Sequence, residues 1–167
     1  RGEMVSLETE SDRTLFFDLL PIEVGTIGGF KTRLQLYTVP GQVFYNTTRK
    51  LVLKGVDGLV FVADSLVVRR EKNVLSLKDL HLNLREYGLS ILKVPLVLQY
   101  NKRDLEEQGI PVLPVETLEQ DLNSELKVPY LEASALTGAN VIPTFKKIAA
   151  LTITSGYPFS SYKRIDS

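Results

Sequence analysis

The stretch VPLVLQYNKRD, residues 94–104, is a short apolar run that breaks abruptly into Asn101, Lys102, Arg103 and Asp104. A run that is apolar at successive rather than alternate positions reads as a strand buried on both faces, the pattern of a parallel sheet covered by helices. Two further runs share this form, GLVFVAD at 58–64 and VPYLEAS at 128–134. Between the first two, residues 70–88 place Val74, Leu77, Leu80, Leu84 and Tyr87 at steps of three and four, with Gly88 positioned as a stop, which predicts an amphipathic helix. Pro114 opens a shorter helix presenting Leu118 and Leu122, and a last one begins after Asn140 with Val141, Phe145, Ile148 and Leu151 on one face.

Upstream, RTLFFDLLPIEV (13–24) and FKTRLQLYTV (30–39) are strand-like. The second alternates, with Lys31, Arg33, Gln35 and Tyr37 against Phe30, Thr32, Leu34 and Leu36. The connection GTIGG predicts an antiparallel hairpin, and residues 43–54 a short helix ended by Gly55. The resulting order is hairpin, helix, strand, helix, strand, helix, strand, helix. It defines an α/β fold with a mostly parallel sheet, one antiparallel hairpin strand and helices on both faces. There is no internal repeat. Residues 1–155 read as one domain and 156–167 as a tail carrying Tyr157, Phe159 and Tyr162.

With 167 residues, of which 44% are apolar, the chain can fill the core of one domain. Twenty basic against twenty acidic side chains leave no net charge, which argues against nucleic acid or an anionic membrane as a partner. Zero Cys excludes disulfides, thiol catalysis and Cys-type zinc sites, and the single His81 excludes a His-rich metal centre. No apolar run approaches the roughly 18 residues of a membrane span, the first ten residues lack a signal-like apolar segment, and no Cys near the C-terminus could carry a lipid. A cytoplasmic protein with no direct membrane anchor is expected. Its chemistry must use carboxylates, hydroxyls, amides, Arg, Lys or backbone groups.

In a doubly wound sheet, ligands sit beyond the C-terminal ends of the strands. A carboxylate such as Asp104 can accept two N–H bonds from the edge of guanine, where adenine presents an acceptor instead of the ring donor. The Lys102 stem can lie across the base, and the Asn101 amide can tie neighbouring loops together. Hydrogen bonds to charged groups contribute about 1.5–3 kcal/mol, so Asp104 could separate the purines strongly. The loop Ser134-Ala135-Leu136-Thr137-Gly138, about thirty residues on, is small enough to bring backbone N–H groups close to a guanine carbonyl, while Ser134 could brace Asp104. In Thr38-Val39-Pro40-Gly41-Gln42, the Gly41 N–H could meet a terminal phosphate and Gln42 could orient a water for in-line attack. Each motif alone has a plain reading as a polar or Pro-Gly turn. Their order and spacing set them apart.

Gly41-Gln42 after a strand, then Asn101-Lys102-Arg103-Asp104, then Ser134-Ala135-Leu136, resembles the Ras-like small GTPases in the order that family keeps. TVPGQ, RTLFFDLLP and FVADS resemble the bacterial MglA branch, the gliding-motility and cell-polarity GTPases, and the likeness runs from residue 3 to about 153. The resemblance implies a three-layer Ras-like fold and a switch that binds GTP and hydrolyses it to GDP. It also implies Mg2+ with the nucleotide, and an MglB-type roadblock-domain partner that accelerates hydrolysis. Residues 7–15 would be switch I, with Thr14 as ligand of the metal and γ-phosphate and Thr9 as the competing hydroxyl. Arg13 would be an arginine finger supplied within the chain, or else an ion-paired surface residue. Gln42 would orient the attacking water, Gly41 would meet the phosphate, and residues 41–50 would form switch II.

Two departures stand out. Thr38 occupies a place where most Ras-like proteins carry an acidic residue, so Mg2+ would be held less firmly; MglA-type proteins share this Thr. The phosphate-cradling motif G-x-x-x-x-G-K-[ST] does not occur in the sequence. The expectation is that the first strand and P-loop belong to a preceding segment of a longer protein, the alternative being a remnant that no longer hydrolyses GTP. The non-Met start together with Arg13 and Gln42 favours the longer protein. The segment alone would then bind nucleotide poorly, and its open sheet edge could pair with a second chain as a non-native dimer. The competing functional class is a non-hydrolysing interaction module on the same fold.

Overall fold

A computed structural model of the chain describes residues 5–6, 18–27, 30–39 and 46–155. These fall into two compact units, residues 1–54 and 55–167.

Among the described residues, the first unit holds a three-stranded antiparallel sheet, ordered β1-β2-β3, and one helix. Its strands are β1 (Val5–Ser6), β2 (Asp18–Ile27) and β3 (Phe30–Thr38). The hairpin is where the alternation places it: Thr32, Leu34 and Leu36 are less exposed than Arg33, Gln35 and Tyr37. The Gly-rich connection is shorter than GTIGG. The ladder continues to Ile27 opposite Phe30, so Gly25-Thr26-Ile27 belong to β2. Gly25 instead marks a β-bulge, where the register shifts after Glu23 and φ reaches +94°, a value that a residue without Cβ adopts readily. The two-residue β1 pairs with β2 and carries no alternation from which it could have been read. Helix α1 (Asn46–Leu53) is followed by Gly55 at φ +78°, in keeping with the expected stop.

The second unit is built on a parallel sheet ordered β4-β5-β6, from β4 (Leu59–Asp64), β5 (Leu96–Asn101) and β6 (Tyr130–Glu132). Every residue from Leu96 to Tyr100 is buried, as a strand covered on both faces demands. Adjacent strand residues face opposite ways, and their partners locate the two layers. Gln99 donates to Thr144 of helix α4 (Val141–Thr154), whereas the Tyr100 hydroxyl donates to Glu119 of helix α3 (Val115–Leu122). Helix α2 (Arg70–Glu86) joins the α3 side through a two-pronged contact of Arg70 with Asp121, at 2.7 and 2.9 Å.

Helix α3 buries Leu118 and Leu122 as its spacing predicts, and Gly88 follows α2 at φ +70°. Helix α4 departs from expectation. Its buried stripe is Thr144, Ile148 and Thr152, and Val141 is 37% exposed. The Thr hydroxyls turn inward because they find partners: Thr144 receives Gln99 and donates to the Asn140 carbonyl. A Cβ on Gly58, just before β4, would stand 2.2 Å from the Thr152 Oγ1, so the small residue lets α4 sit close to the sheet.

Candidate functional site

Parallel pairing brings the C-terminal ends of β4, β5 and β6 to one edge, with Asp64 opposite Asn101 and Tyr100 opposite Glu132. The backbone stitches the loops beyond them together. Ala133 N–H donates to Tyr100 O at 2.8 Å, Arg103 N–H to Ala133 O at 3.0 Å, and Ser65 N–H to Asn101 O at 3.0 Å. Leu113 N–H reaches Ser65 O at 2.7 Å, and Leu66 bridges Val112.

The Asn101 carboxamide oxygen accepts the Ala135 N–H at 2.8 Å, so this side chain does tie the loop after β5 to the loop after β6. Lys102 sits at φ +69°, a left-handed conformation that costs a non-Gly residue on the order of 1–2 kcal/mol and turns the chain sharply out of the strand. Its ammonium lies 2.8 Å from the Asp64 carboxylate. Asp64 also accepts the Leu66 N–H, and its backbone exchanges two bonds with the buried Asn73 side chain. A short 3-10 turn, Arg103–Leu105, presents Asp104. Among the described residues the Asp104 carboxylate receives only a long bond, 3.4 Å, from Gln108.

Ser134 is buried, and its hydroxyl accepts the Thr137 N–H. The turn is closed by Gly138 N–H to Ser134 O at 2.9 Å, with Gly138 at φ +82°. Asn101 occupies the Ala135 N–H and the Ser134 side chain and carbonyl occupy those of Thr137 and Gly138, so the Leu136 N–H is left as this turn's donor without a partner among the described residues, on a residue that is 82% exposed. Asn101, Lys102, Asp104, Ser134, Ala135 and Leu136 therefore converge on one edge of the second unit. Arg13, Thr14, Gly41 and Gln42 lie outside the described residues, as do most of the expected switch segments. Thr38 closes β3 opposite Asp18.

Three participants escaped the reading of the sequence. Asp64, which ends the first apolar run, could have been found by extending to that run the rule applied to the other two. Tyr100 carries a polar tip inside an apolar run. Burial, and then the Glu119 carboxylate that accepts its hydroxyl proton, push its phenol above the ordinary range. Arg103 stands in the N-K-R-D motif but carries no role there that the sequence shows, since its contacts depend on the β5–α3 connection folding back onto the end of β6. A surface hollow of about 990 Å³ lies elsewhere, against Tyr130, Leu131, Glu119 and Lys147. It does not collect the strand ends, which is where the polar groups converge.

A parallel α/β sheet whose strand ends gather N-K-R-D and S-A-L loops defines a Ras-like nucleotide-binding domain. A sequence model of the Ras family matches residues 6–154. The chain is 53% identical over 154 residues to "Mutual gliding-motility protein MglA" of Myxococcus xanthus (strain DK1622), covering 92% of this chain and 76% of that protein. It is 28% identical over 130 residues to "Ras-related protein SEC4" of Saccharomyces cerevisiae, covering 78% of this chain and 56% of that protein. The chain belongs to the Ras family, as a Ras-like GTPase of the MglA type.

Proposed function

We propose that residues 1–155 contribute to one guanine-nucleotide-binding domain that cycles between GTP and GDP forms and hydrolyses GTP to regulate motility or cell polarity. The motility role follows the name of the Myxococcus relative. One observation carries the nucleotide reading: the loop bearing Asp104 is bonded to the segment Ala133–Gly138 through Asn101 to Ala135 and Arg103 to Ala133. A carboxylate and an outward amide on joined loops suit the donor and acceptor edge of guanine, with Asp104 taking the ring and exocyclic N–H groups and the Leu136 N–H meeting the carbonyl. Adenine offers neither match. On binding, the Lys102 ammonium would exchange Asp64 for the nucleotide while its stem covers the base.

Hydrolysis is assigned to the other half of the domain. Gln42 holds the attacking water, Gly41 N–H meets the γ-phosphate, and Arg13 offsets charge on the transferring group, a role worth about 10³–10⁵ in rate where such an Arg acts. Thr14 would supply the protein hydroxyl for Mg2+, which when bound with the nucleotide would offset phosphate charge. Mg2+ is commonly held by few protein oxygens together with substrate phosphates, so the site needs no carboxylate cluster. Among the described residues there is no group of three or more His, Cys, Asp or Glu placed to hold a metal. Nor is any helix among them long and apolar enough to cross a membrane. An MglB-type roadblock dimer is the proposed activating partner.

The test is single-turnover GTP hydrolysis by the full-length protein, with Gln42→Leu and Arg13→Ala compared at saturating nucleotide. Both should slow turnover at least about 100-fold with nucleotide affinity largely kept. Hydrolysis at the wild-type rate in either variant removes that residue from the mechanism.

A further inference from the structure

Arg103 lies inside the N-K-R-D loop, yet its side chain is only 16% exposed and its polar atoms reach three directions. Nη1 donates to the Leu113 carbonyl at 2.7 Å, and Leu113 is itself bonded to Ser65 beyond β4. Nη2 donates to Glu106 at 3.1 Å within its own loop. Nε lies 3.0 Å from the Glu132 carboxylate at the end of β6, an ion pair by distance in which the buried Nε–H is not aligned for a hydrogen bond. One guanidinium thus joins its own turn, the Leu113 segment at the far end of the same β5–α3 connection, and the end of β6, immediately beside Asp104.

We propose that Arg103 is a positioning residue for purine selectivity: its guanidinium clamps the Asp104 loop between the Leu113 segment and the end of β6, and so fixes the angle at which Asp104 meets the base. This rests on the nucleotide reading given above. A carboxylate that takes two N–H groups at once depends on direction as well as distance. The left-handed Lys102 and the long Gln108 contact leave little else to set the orientation of Asp104. A rigid planar fork can direct its two Nη bonds at fixed angles while its charge faces Glu132, whereas a Lys ammonium on a flexible stem cannot reach these partners together.

The sensitive readout is the preference for GDP over IDP, because hypoxanthine lacks only the exocyclic amino group that the second Asp104 oxygen would accept. The experiment measures both affinities by competition for the full-length protein and for Arg103→Met, Arg103→Lys and Asp104→Asn, with thermal unfolding recorded alongside. Arg103→Met should lower the GDP-over-IDP ratio about tenfold, equal to about 1.4 kcal/mol. Affinity for IDP should stay near wild type, and Arg103→Lys should fall between. A ratio unchanged in both Arg103 variants while Asp104→Asn lowers it overturns the clamp and leaves the base assignment standing. A ratio unchanged in Asp104→Asn as well overturns the base assignment, and the clamp with it. If Arg103→Met shows no cooperative unfolding, Arg103→Lys decides: a lowered ratio supports the clamp and an unchanged one overturns it.

Discussion

Removing the Tyr100 hydroxyl should cost stability by an amount that depends on pH in a defined direction. Tyr100 is fully buried, its ring stacks on Tyr130 at a centroid distance of 5.2 Å, and its hydroxyl donates to Glu119. Tyr100→Phe keeps the ring and the stack. The Glu119 carboxylate keeps the Asn123 amide at 3.1 and 3.0 Å, so it is not left bare. A hydrogen bond to a charged group contributes about 1.5–3 kcal/mol, and the surviving Asn123 contact places the loss near the lower end, about 1.5 kcal/mol at neutral pH. Burial and the carboxylate raise the phenol above its ordinary 10.0 in the folded protein. The folded value exceeds the unfolded one, so this contribution is complete below the unfolded value and is lost as pH climbs beyond it, by about 1.4 kcal/mol per pH unit. Urea unfolding followed by far-UV circular dichroism should show a gap of about 1.5 kcal/mol at pH 7.5 that has nearly closed at about pH 11. Equal stabilities at pH 7.5, or a gap of the same size at both values, would refute the reasoning.

Two further outcomes concern packing and acid stability. Gly58→Ala would force its Cβ against the buried Thr152 Oγ1 and should cost about 1–3 kcal/mol, with Thr152→Ala in the same background recovering part of it. Full stability of the single variant in thermal unfolding contradicts the close approach of α4 to the sheet. Asp121→Asn should lower stability slightly at neutral pH, because Arg70 holds the Asp121 carboxyl below the usual carboxylate range. That contribution is present above the unfolded value of about 4 and is lost as pH falls through the folded one. The difference from wild type should therefore shrink on acidification, and a difference that stays constant in urea unfolding down to about pH 2.5 contradicts it.

Much of the second unit was legible because burial imposes pattern. β5 had to be apolar at consecutive positions, and α3 had to place Leu118 and Leu122 four residues apart. The joining role of Asn101 was also legible, since a short amide at a strand end has few other uses. Other features depend on tertiary partners that leave no local trace. β6 is three residues long with Tyr130 42% exposed, so its apolar run overstates its length. The inward face of α4 is marked by Thr144 and Thr152, which hydrophobic periodicity counts as polar. Gly25 looked like part of a turn and is a bulge, because a left-handed glycine suits both. Ser134 accepts a bond from three residues along its own turn, which fixes its hydroxyl locally in a way its residue type alone does not announce. The contacts of Arg103 and Asp64 arise only when separated segments meet.

The central claim is that the joined loops beyond β5 and β6 read guanine. Its most direct test is the ratio of GDP to ADP affinity, measured by calorimetry on the full-length protein with Mg2+, for wild type and Asp104→Asn. The account predicts strong preference for GDP in wild type and a loss of about 100-fold in that preference in the variant, as expected when a charged acceptor of two N–H groups is replaced. Equal affinity of the wild-type protein for GDP and ADP, or a preference untouched in Asp104→Asn, would contradict it.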